Sequence, residues 1–498
     1  GSGGAGGTVA SGASASAAVL SQDLPGDDLY GDPTNPASGA SAAVLSVPRQ
    51  NSASDRQPLG KGRAVIVVIA HNREDCLTRC LQSLAAQAEP DIFPVAVSLD
   101  DPPTFGKMED AARKFDGRLM LEIWHKTTPS PISAAVAKIS EHFRFALTES
   151  FDRRGFEYAI FVENDLTVAP DFLWYFRSAA WLLEEDPTLF CVSAWNDNGM
   201  SDLVSDEHRL FRTDYFPGLG WMIRKDTWDK LRGQWPGFPS TGWDHWLRHG
   251  SGLRPRECIA PEVPRTHHFD THGTNVKAGT SLAKSLASMA VSTLLPGELG
   301  DLTYLLHEPY EAHVRDLAKG AQLINRGQLS QLSSDRTYLL PYTREEYAQL
   351  AKLLKLAPAQ PRTAHRGLIW ALAPSSKALV LLADRRQSWD YLPVGEQWQP
   401  NPSRRVSKAE PGESCDAMCH RLSMRCEQRE IEFINTCEAL RQEFPCEAGC
   451  GHQVGQEIPA YVHDRGRDTG QQCLVTDDAL PTCAAKCPAT TRLCVCIP

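Results

Sequence analysis

No apolar run in the 498-residue chain reaches the ~18–20 residues needed to cross a bilayer. No GxGxxG follows the first apolar stretch and no GxxxxGKS/T occurs anywhere. Those absences remove the glycine cradles of a Rossmann dinucleotide enzyme and of a P-loop NTPase. Basic residues are outnumbered, 51 Lys and Arg against 61 Asp and Glu, for a balance of −10. A nucleic-acid partner needs a basic face, so none is expected. There is no Asn-x-Ser/Thr sequon. Cysteine is scarce up to residue 400, with only Cys76, Cys80, Cys191 and Cys258. The first residue is Gly rather than Met. The chain therefore reads as a fragment or processed form, with any targeting or anchoring segment outside it.

What is present is sharply partitioned. The opening GSGGAGGTVASGASASAAVL is small-residue low complexity. It buries too little apolar surface to offset its ordering entropy, so residues 1–60 are expected as a flexible stem. From Arg63 the pattern becomes regular. AVIVVIA (64–70) is an unbroken apolar run, as in a strand buried on both faces. EDCLTRCLQSLAAQ (74–87) sets Leu77, Leu81 and Leu84 on one helical stripe. FPVAVSLDD (93–101), LMLEIWH (119–125), YAIFVEND (158–165) and LFCVSAWND (189–197) read as strands, and 132–151 as a long helix. Strands alternating with helices predict an α/β fold with a mostly parallel sheet.

In such sheets ligands gather beyond the carboxyl ends of the strands. Four predicted strands end in polar residues: His71-Asn72-Arg73, Asp100-Asp101, Glu163-Asn164-Asp165 and Asn196-Asp197. Carboxylates at the end of a buried strand are costly unless something pairs with them. Without a glycine cradle, a diphosphate can be neutralised by Mg²⁺ or Mn²⁺ held on few hard oxygens. Glu163-Asn164-Asp165 suits that role, which is the chemistry of a GT-A nucleotide-sugar transferase. A polar surface loop is the plain alternative.

The middle of the chain resembles glycosyltransferase family thirteen. The strings that carry the resemblance are FVENDLTVAPDF (161–172), CVSAWNDNG (191–199), LFRTDYFPGLGWMIRKDTWDKL (210–231), WDHWLR (243–248) and RECIAPEVPRTHHF (256–269). HRGLIW (365–370) resembles a landmark of the family's small domain. The likeness spans roughly 63–395. It implies a GT-A fold, UDP-GlcNAc as donor, Mn²⁺ as metal, and inverting transfer to the 2-hydroxyl of a mannose on a glycoprotein glycan. It also implies a Golgi-lumenal protein whose membrane anchor lies outside this chain.

By position, Asp165 matches the metal-binding aspartate, and Glu163 and Asn164 match neighbours lying against the donor's ribose and sugar. The family often has an acid where Asn164 stands; an amide keeps hydrogen bonding but loses a charge. Asp244 matches the general base. Arg73 matches an arginine on the nucleotide, Asp100 the reader of the uracil edge, and His142 a histidine near the base, with helix packing as the alternative. Asn275 aligns with a loop closing over the donor. Trp243 beside Asp244 could seat a sugar ring, or it could simply pack in the core, as Trp246 is expected to do; Trp221 is structural by default. Cys191 and Cys258 match a family disulfide. A second family disulfide falls at His71 and Asp101, so both of its cysteines are absent together. Cys76 and Cys80, at helical spacing, are expected as free packed thiols.

Eleven cysteines crowd between Cys415 and Cys496. That density points to disulfides and an oxidising compartment, with one thiol left over. A zinc module is the rival reading, because Cys446 and Cys450, and Cys483 and Cys487, have ligand-like spacing. The tail is similar to the cysteine-rich C-terminal end of the N-acetylglucosaminyltransferase V family. The expected organisation is stem 1–60, GT-A domain 61–305, small domain 306–398, linker 399–408 and cysteine-rich module 409–498. Three functions compete: a Mn²⁺-dependent N-acetylglucosaminyltransferase, an inactive glycan-binding protein on the same fold, and a metal phosphoesterase, for which the carboxylate cluster is too small. Among acceptors, CVSAWNDNG and RTDYFPGLGW favour an N-glycan, whereas Asn275 favours O-mannosyl glycoprotein.

Overall fold

The computed structural model describes residues 59–87, 93–128, 135–236, 242–249, 253, 255–270, 276, 278–358, 360–476 and 479–498. The expected stem lies outside them apart from its last two residues. The first ten strands are β1 (Ala64–Ala70), β2 (Val95–Leu99), β3 (Leu121–His125), β4 (Tyr158–Glu163), β5 (Leu166–Val168), β6 (Leu189–Ser193), β7 (Leu210–Thr213), β8 (Trp221–Arg224), β9 (Glu257–Pro261) and β10 (Thr266–His268). Eight of them form one sheet in the order β3-β2-β1-β4-β8-β6-β9-β7. Its first four strands are mutually parallel, as is the β6–β9 pair; β8 and β7 join antiparallel. β1 is buried at every residue, because helices cover both faces of its neighbourhood.

The helices of this unit are α1 (Glu74–Ala85), α2 (Phe105–Arg113), α3 (Ala135–Thr148), α4 (Phe172–Ala179), α5 (Leu182–Glu185), α6 (Lys225–Leu231) and α7 (Trp243–His249). α1 turns Leu77, Cys80, Leu81 and Leu84 inward, the stripe expected from spacing. Two boundaries differ from the sequence reading. The 132–151 helix is described from Ala135 and widens into a π turn at Glu149–Arg153. The strand expected over 189–197 stops at Ser193, because Asn196 turns its amide to the Glu262 carbonyl and Asp197 pairs with Arg362 at 2.6 Å. That fourth polar end therefore faces the small domain.

The small domain carries β11 (Gln322–Leu323), β12 (Thr337–Tyr342), β13 (Leu368–Leu372) and β14 (Leu379–Asp384), ordered β11-β12-β14-β13. β13 and β14 form an antiparallel hairpin. The amphipathic helix Arg344–Leu354 opens on a capping box between Thr343 and Glu346. The tail adds β15 (Arg405–Lys408), β16 (Arg425–Cys426), β17 (Cys450–His452), β18 (Ala460–Val462), β19 (Cys473–Val475) and β20 (Thr490–Ile497). β15 pairs with β20, so the last four residues of the linker expected at 399–408 are already part of the tail sheet.

Ten tail cysteines form Cys415–Cys494, Cys419–Cys496, Cys426–Cys483, Cys437–Cys450 and Cys446–Cys473. Cys487 is the leftover thiol, and Cys76 and Cys80 are free as expected. Cys446, Cys450 and Cys483 have their sulfurs bonded to three different partners, which removes the zinc reading. Cys191 on β6 faces Cys258 on β9 in register, and the two are bonded. Closing that loop adds ~3–4 kcal/mol on a chain-entropy view. Among the described residues no helix is long and apolar enough to cross a membrane.

A buried ionic chain ties the sheet to the small domain. Arg212, fully buried, holds Asp186 and Glu257, each at 2.7 Å. Glu257 pairs with His365 Nδ1 at 2.5 Å, and His365 Nε2 reaches Glu311 at 2.8 Å. Burial alone would lower the His365 value, but the flanking carboxylates outweigh it and raise it above 6.5. Burial would raise Glu311, yet His365, Arg366 and Tyr391 hold it at about 2. His365 therefore stabilises the fold fully below 6.5 and loses that contribution as pH rises through its raised value. Glu311 contributes above 4.5 and loses it as pH falls towards 2. Thermal melts across pH should show this contribution intact between those limits. His365→Gln should cost about 3–5 kcal/mol there and flatten the alkaline decline.

Candidate active site

Glu163 is the last residue of β4, and the chain reverses through Asn164 and Asp165 into β5. Asn164 NH donates to the Ile69 carbonyl at 3.0 Å, and Phe269 NH donates to the Asp165 carbonyl at 3.2 Å. β10 pairs with β5, with His268 opposite Leu166. These backbone bonds aim Asp165 at the end of β1, where Arg73 waits. Arg73 Nη2 donates to Asp165 Oδ2 at 2.8 Å, and Nη1 donates to Asp270. His268 Nε2 lies 3.6 Å from the same Asp165 oxygen. Asp165 Oδ1 is buried and has no hydrogen-bond partner among the described groups. A buried carboxylate oxygen with an open lone pair fits a hard divalent cation.

Asp244 arrives from the first turn of α7. Gly242 at φ +93° makes the entry: a Cβ there would sit 2.8 Å from Asp244 Oδ1. Arg248, one turn on, donates to Asp244 Oδ2 at 2.9 Å and also to the Phe216 carbonyl. Burial would raise the Asp244 carboxyl, but Arg248 and His245 outweigh it and hold it below its ordinary value. Asp244 is thus a carboxylate at neutral pH. Glu163 shows the opposite result: burial, then Asp165, then Asp244 drive it well above the usual carboxylate range. Three carboxylates from β4, the following turn and α7 therefore share one field.

The other sequence-derived residues fall into two groups. Asp100 sits at the end of β2, with His71 Nδ1 at 2.7 Å and His142 Nδ1 at 3.4 Å. Burial would raise Asp100, but the His71 hydrogen bond leads the effects that hold it low. His142 is buried, bonds Ser98 Oγ at 2.9 Å, and is pushed down to about 4 by burial. It backs Asp100 as a neutral ring. Trp243 is 7 % exposed, 4.1 Å from Phe143 and stacked on Trp221 at 5.5 Å. That is a core position, and the sugar-platform expectation for Trp243 does not fit it. Asn275 lies outside the described residues. Sequence reasoning passed over Arg248, His268 and Asp270. The Asp244–Arg248 spacing of one helical turn was a usable signal; the approach of His268 and Asp270 depends on the β5–β10 register and had none.

The GNT-I family profile matches residues 41–391, and that of Glycosyltransferase family 18 matches residues 386–496. The chain belongs to the GNT-I family and is a glycosyltransferase. It is 31 % identical over 319 residues to the Alpha-1,3-mannosyl-glycoprotein 2-beta-N-acetylglucosaminyltransferase of Arabidopsis thaliana, covering 61 % of this chain and 70 % of that one. Solved structures that are similar include S. aureus TarS 1-349 in complex with UDP-GlcNAc (16 % identity, 51 % of this chain, 65 % of that chain, TM-score 0.29). Another is the mannosyltransferase PcManGT from Pyrobaculum calidifontis in complex with GDP-Man and Mn2+ (18 % identity, 43 % and 61 %, TM-score 0.28). The chain spans less than two thirds of either structure's length.

The like-charge cluster has a measurable signature. Glu163 ionises at a cost in the folded state, a cost that grows as pH rises from 4.5 towards about 8. In EDTA-treated protein, Glu163→Gln should therefore melt higher than wild type at pH 8, by on the order of 1–3 kcal/mol. The two should melt alike at pH 4.5.

Proposed function

We propose that the protein transfers GlcNAc from UDP-GlcNAc to the 2-hydroxyl of an α-linked mannose on an N-glycan, with inversion. The observation that carries this is the convergence of Asp165, with an open buried oxygen, and Asp244, held ionised by Arg248. The name of the Arabidopsis relative supports the β-1,2 linkage and the glycoprotein acceptor. Asp165 would hold Mn²⁺, which when bound supplies charge stabilisation to the departing diphosphate. Arg73 contacts the nucleotide, and Asp100, backed by His142, reads the uracil edge. Glu163 and Asn164 face the ribose and sugar. Asp244 takes the proton of the attacking mannose hydroxyl. A single displacement needs no nucleophilic carboxylate. The six disulfides are consistent with an oxidising lumen, which for this family is the Golgi.

The test is UDP release from UDP-GlcNAc with an oligomannose N-glycan, an O-mannosyl peptide, or neither, each with Mn²⁺ and with EDTA. The expected result is Mn²⁺-dependent release with the N-glycan, falling at least 10²-fold, on the order of general-base contributions, in Asp244→Asn. Release only with the O-mannosyl peptide would move the acceptor assignment. Donor binding without release on any acceptor would support the glycan-binding reading instead.

A further inference from the structure

The tail does not stand apart from the transfer site. β17 packs against α7, the helix that carries Asp244. His452, the last residue of β17, is 3 % exposed, and its ring stacks on His245 with centroids 5.2 Å apart and planes at 29°. His245 directly follows Asp244 on α7. β17 is itself held firmly. Cys450, its first residue, is bonded to Cys437, and the neighbouring β19 is tied to Cys446 through Cys473. Beyond β19, Thr476 and Ala479 offer their carbonyls to Arg344 of the small domain, each at 3.0 Å. On the other side of the tail, Arg386 pairs with Glu432 at 3.2 Å.

We propose that the cysteine-rich tail is a working part of the transfer site, with His452 a positioning residue that buttresses His245 and through it sets where Asp244 stands. The proposal rests on Asp244 being the general base. Its logic is mechanical. α7 has only seven residues and enters through a glycine at positive φ, so its own hydrogen bonds hold its first turn weakly. Arg248 fixes one oxygen of Asp244 from the C-terminal side. The ring pair fixes the next residue from the tail side. A base must stand within hydrogen-bond reach of the hydroxyl it deprotonates. A displacement of about 1 Å can cost up to 10²-fold in rate.

The experiment is steady-state transfer with the whole chain: wild type, His452→Ala, His452→Phe, His245→Ala, the His245→Ala/His452→Ala double variant, and Asp244→Asn. His452→Ala should lower kcat on the order of tenfold while the donor KM stays within about twofold. His452→Phe, which keeps a stacking ring, should recover most of the loss. In the His245→Ala background, His452→Ala should cost less than about twofold more, because the route through His245 is already broken. Wild-type kcat in His452→Ala, or losses that multiply independently in the double variant, would overturn the proposal. If His452→Ala fails to fold, His452→Leu fills the same space without a ring and is read by the same criteria. Asp244→Asn separates the two readings. An inactive Asp244→Asn beside a fully active His452→Ala sinks the positioning role alone; an active Asp244→Asn sinks the base and this proposal with it.

Discussion

Three carboxylates brought to the end of one buried strand are the constraint around which the catalytic unit is arranged. Glu163 and Asp165 are two residues apart, and Asp244 joins them from α7. Like charges in a poorly solvated place repel and push one another towards protonation. The fold answers with cations placed from opposite sides: Arg73 on Asp165 and Asp270, Arg248 on Asp244. Asn164 belongs to the same answer. An acid at that position would add a fourth negative charge, whereas the amide donates to the Arg73 carbonyl at 3.4 Å without one. Glu163 has no cation of its own, and burial with its two neighbours drives it towards the neutral form instead.

Much of this was legible in the sequence, and the reasons are local. AVIVVIA, short and rich in β-branched residues, has the mark of a strand buried on both faces, and β4 announces itself as an apolar run ending in acids. The α1 stripe follows from spacing alone. The failures are equally physical. Asn196 and Asp197 looked like a fourth rim because strand ends are polar, but nothing local says that Arg362 will claim Asp197. Trp243 looked like a platform because aromatics beside a base often are, yet Phe143 and Trp221 surround it from other elements. Side chains are claimed by partners distant in sequence, and the sequence carries no trace of those partners.

The accessory parts read differently once their contacts are known. The small domain is joined to the sheet by buried charge as well as by surface contacts such as Lys355 on Asp202, and a chain from Arg212 to Glu311 tolerates little relative movement. A buried pair with one partner removed leaves an uncompensated charge, so the chain is worth more as a fastener than as net stability. The tail is fastened in turn to the small domain through Arg344 and Arg386. The frame thus runs from β9 through the small domain and the disulfide-linked tail back to α7. One end of that loop, α7, carries Asp244; the other, Glu257, opens β9 at the end of the sheet away from Glu163.

The exchange at the ends of β1 and β2 shows how a covalent tie can be replaced by a polar one. The resemblance places a disulfide at His71 and Asp101, and neither is cysteine. Instead His71 reaches the adjacent Asp100 at 2.7 Å, bridging the same two strand ends. Each group favours the charged form of the other: His71 is raised above 6.5, chiefly by its hydrogen bond to Asp100, while Asp100 is held low. A disulfide would clamp the strand ends at every pH and leave Asp100 free. The polar contact clamps them most strongly while His71 is protonated, and it occupies an oxygen of the residue proposed to read the donor's base. On that proposal, donor binding either displaces His71 or shares Asp100 with it.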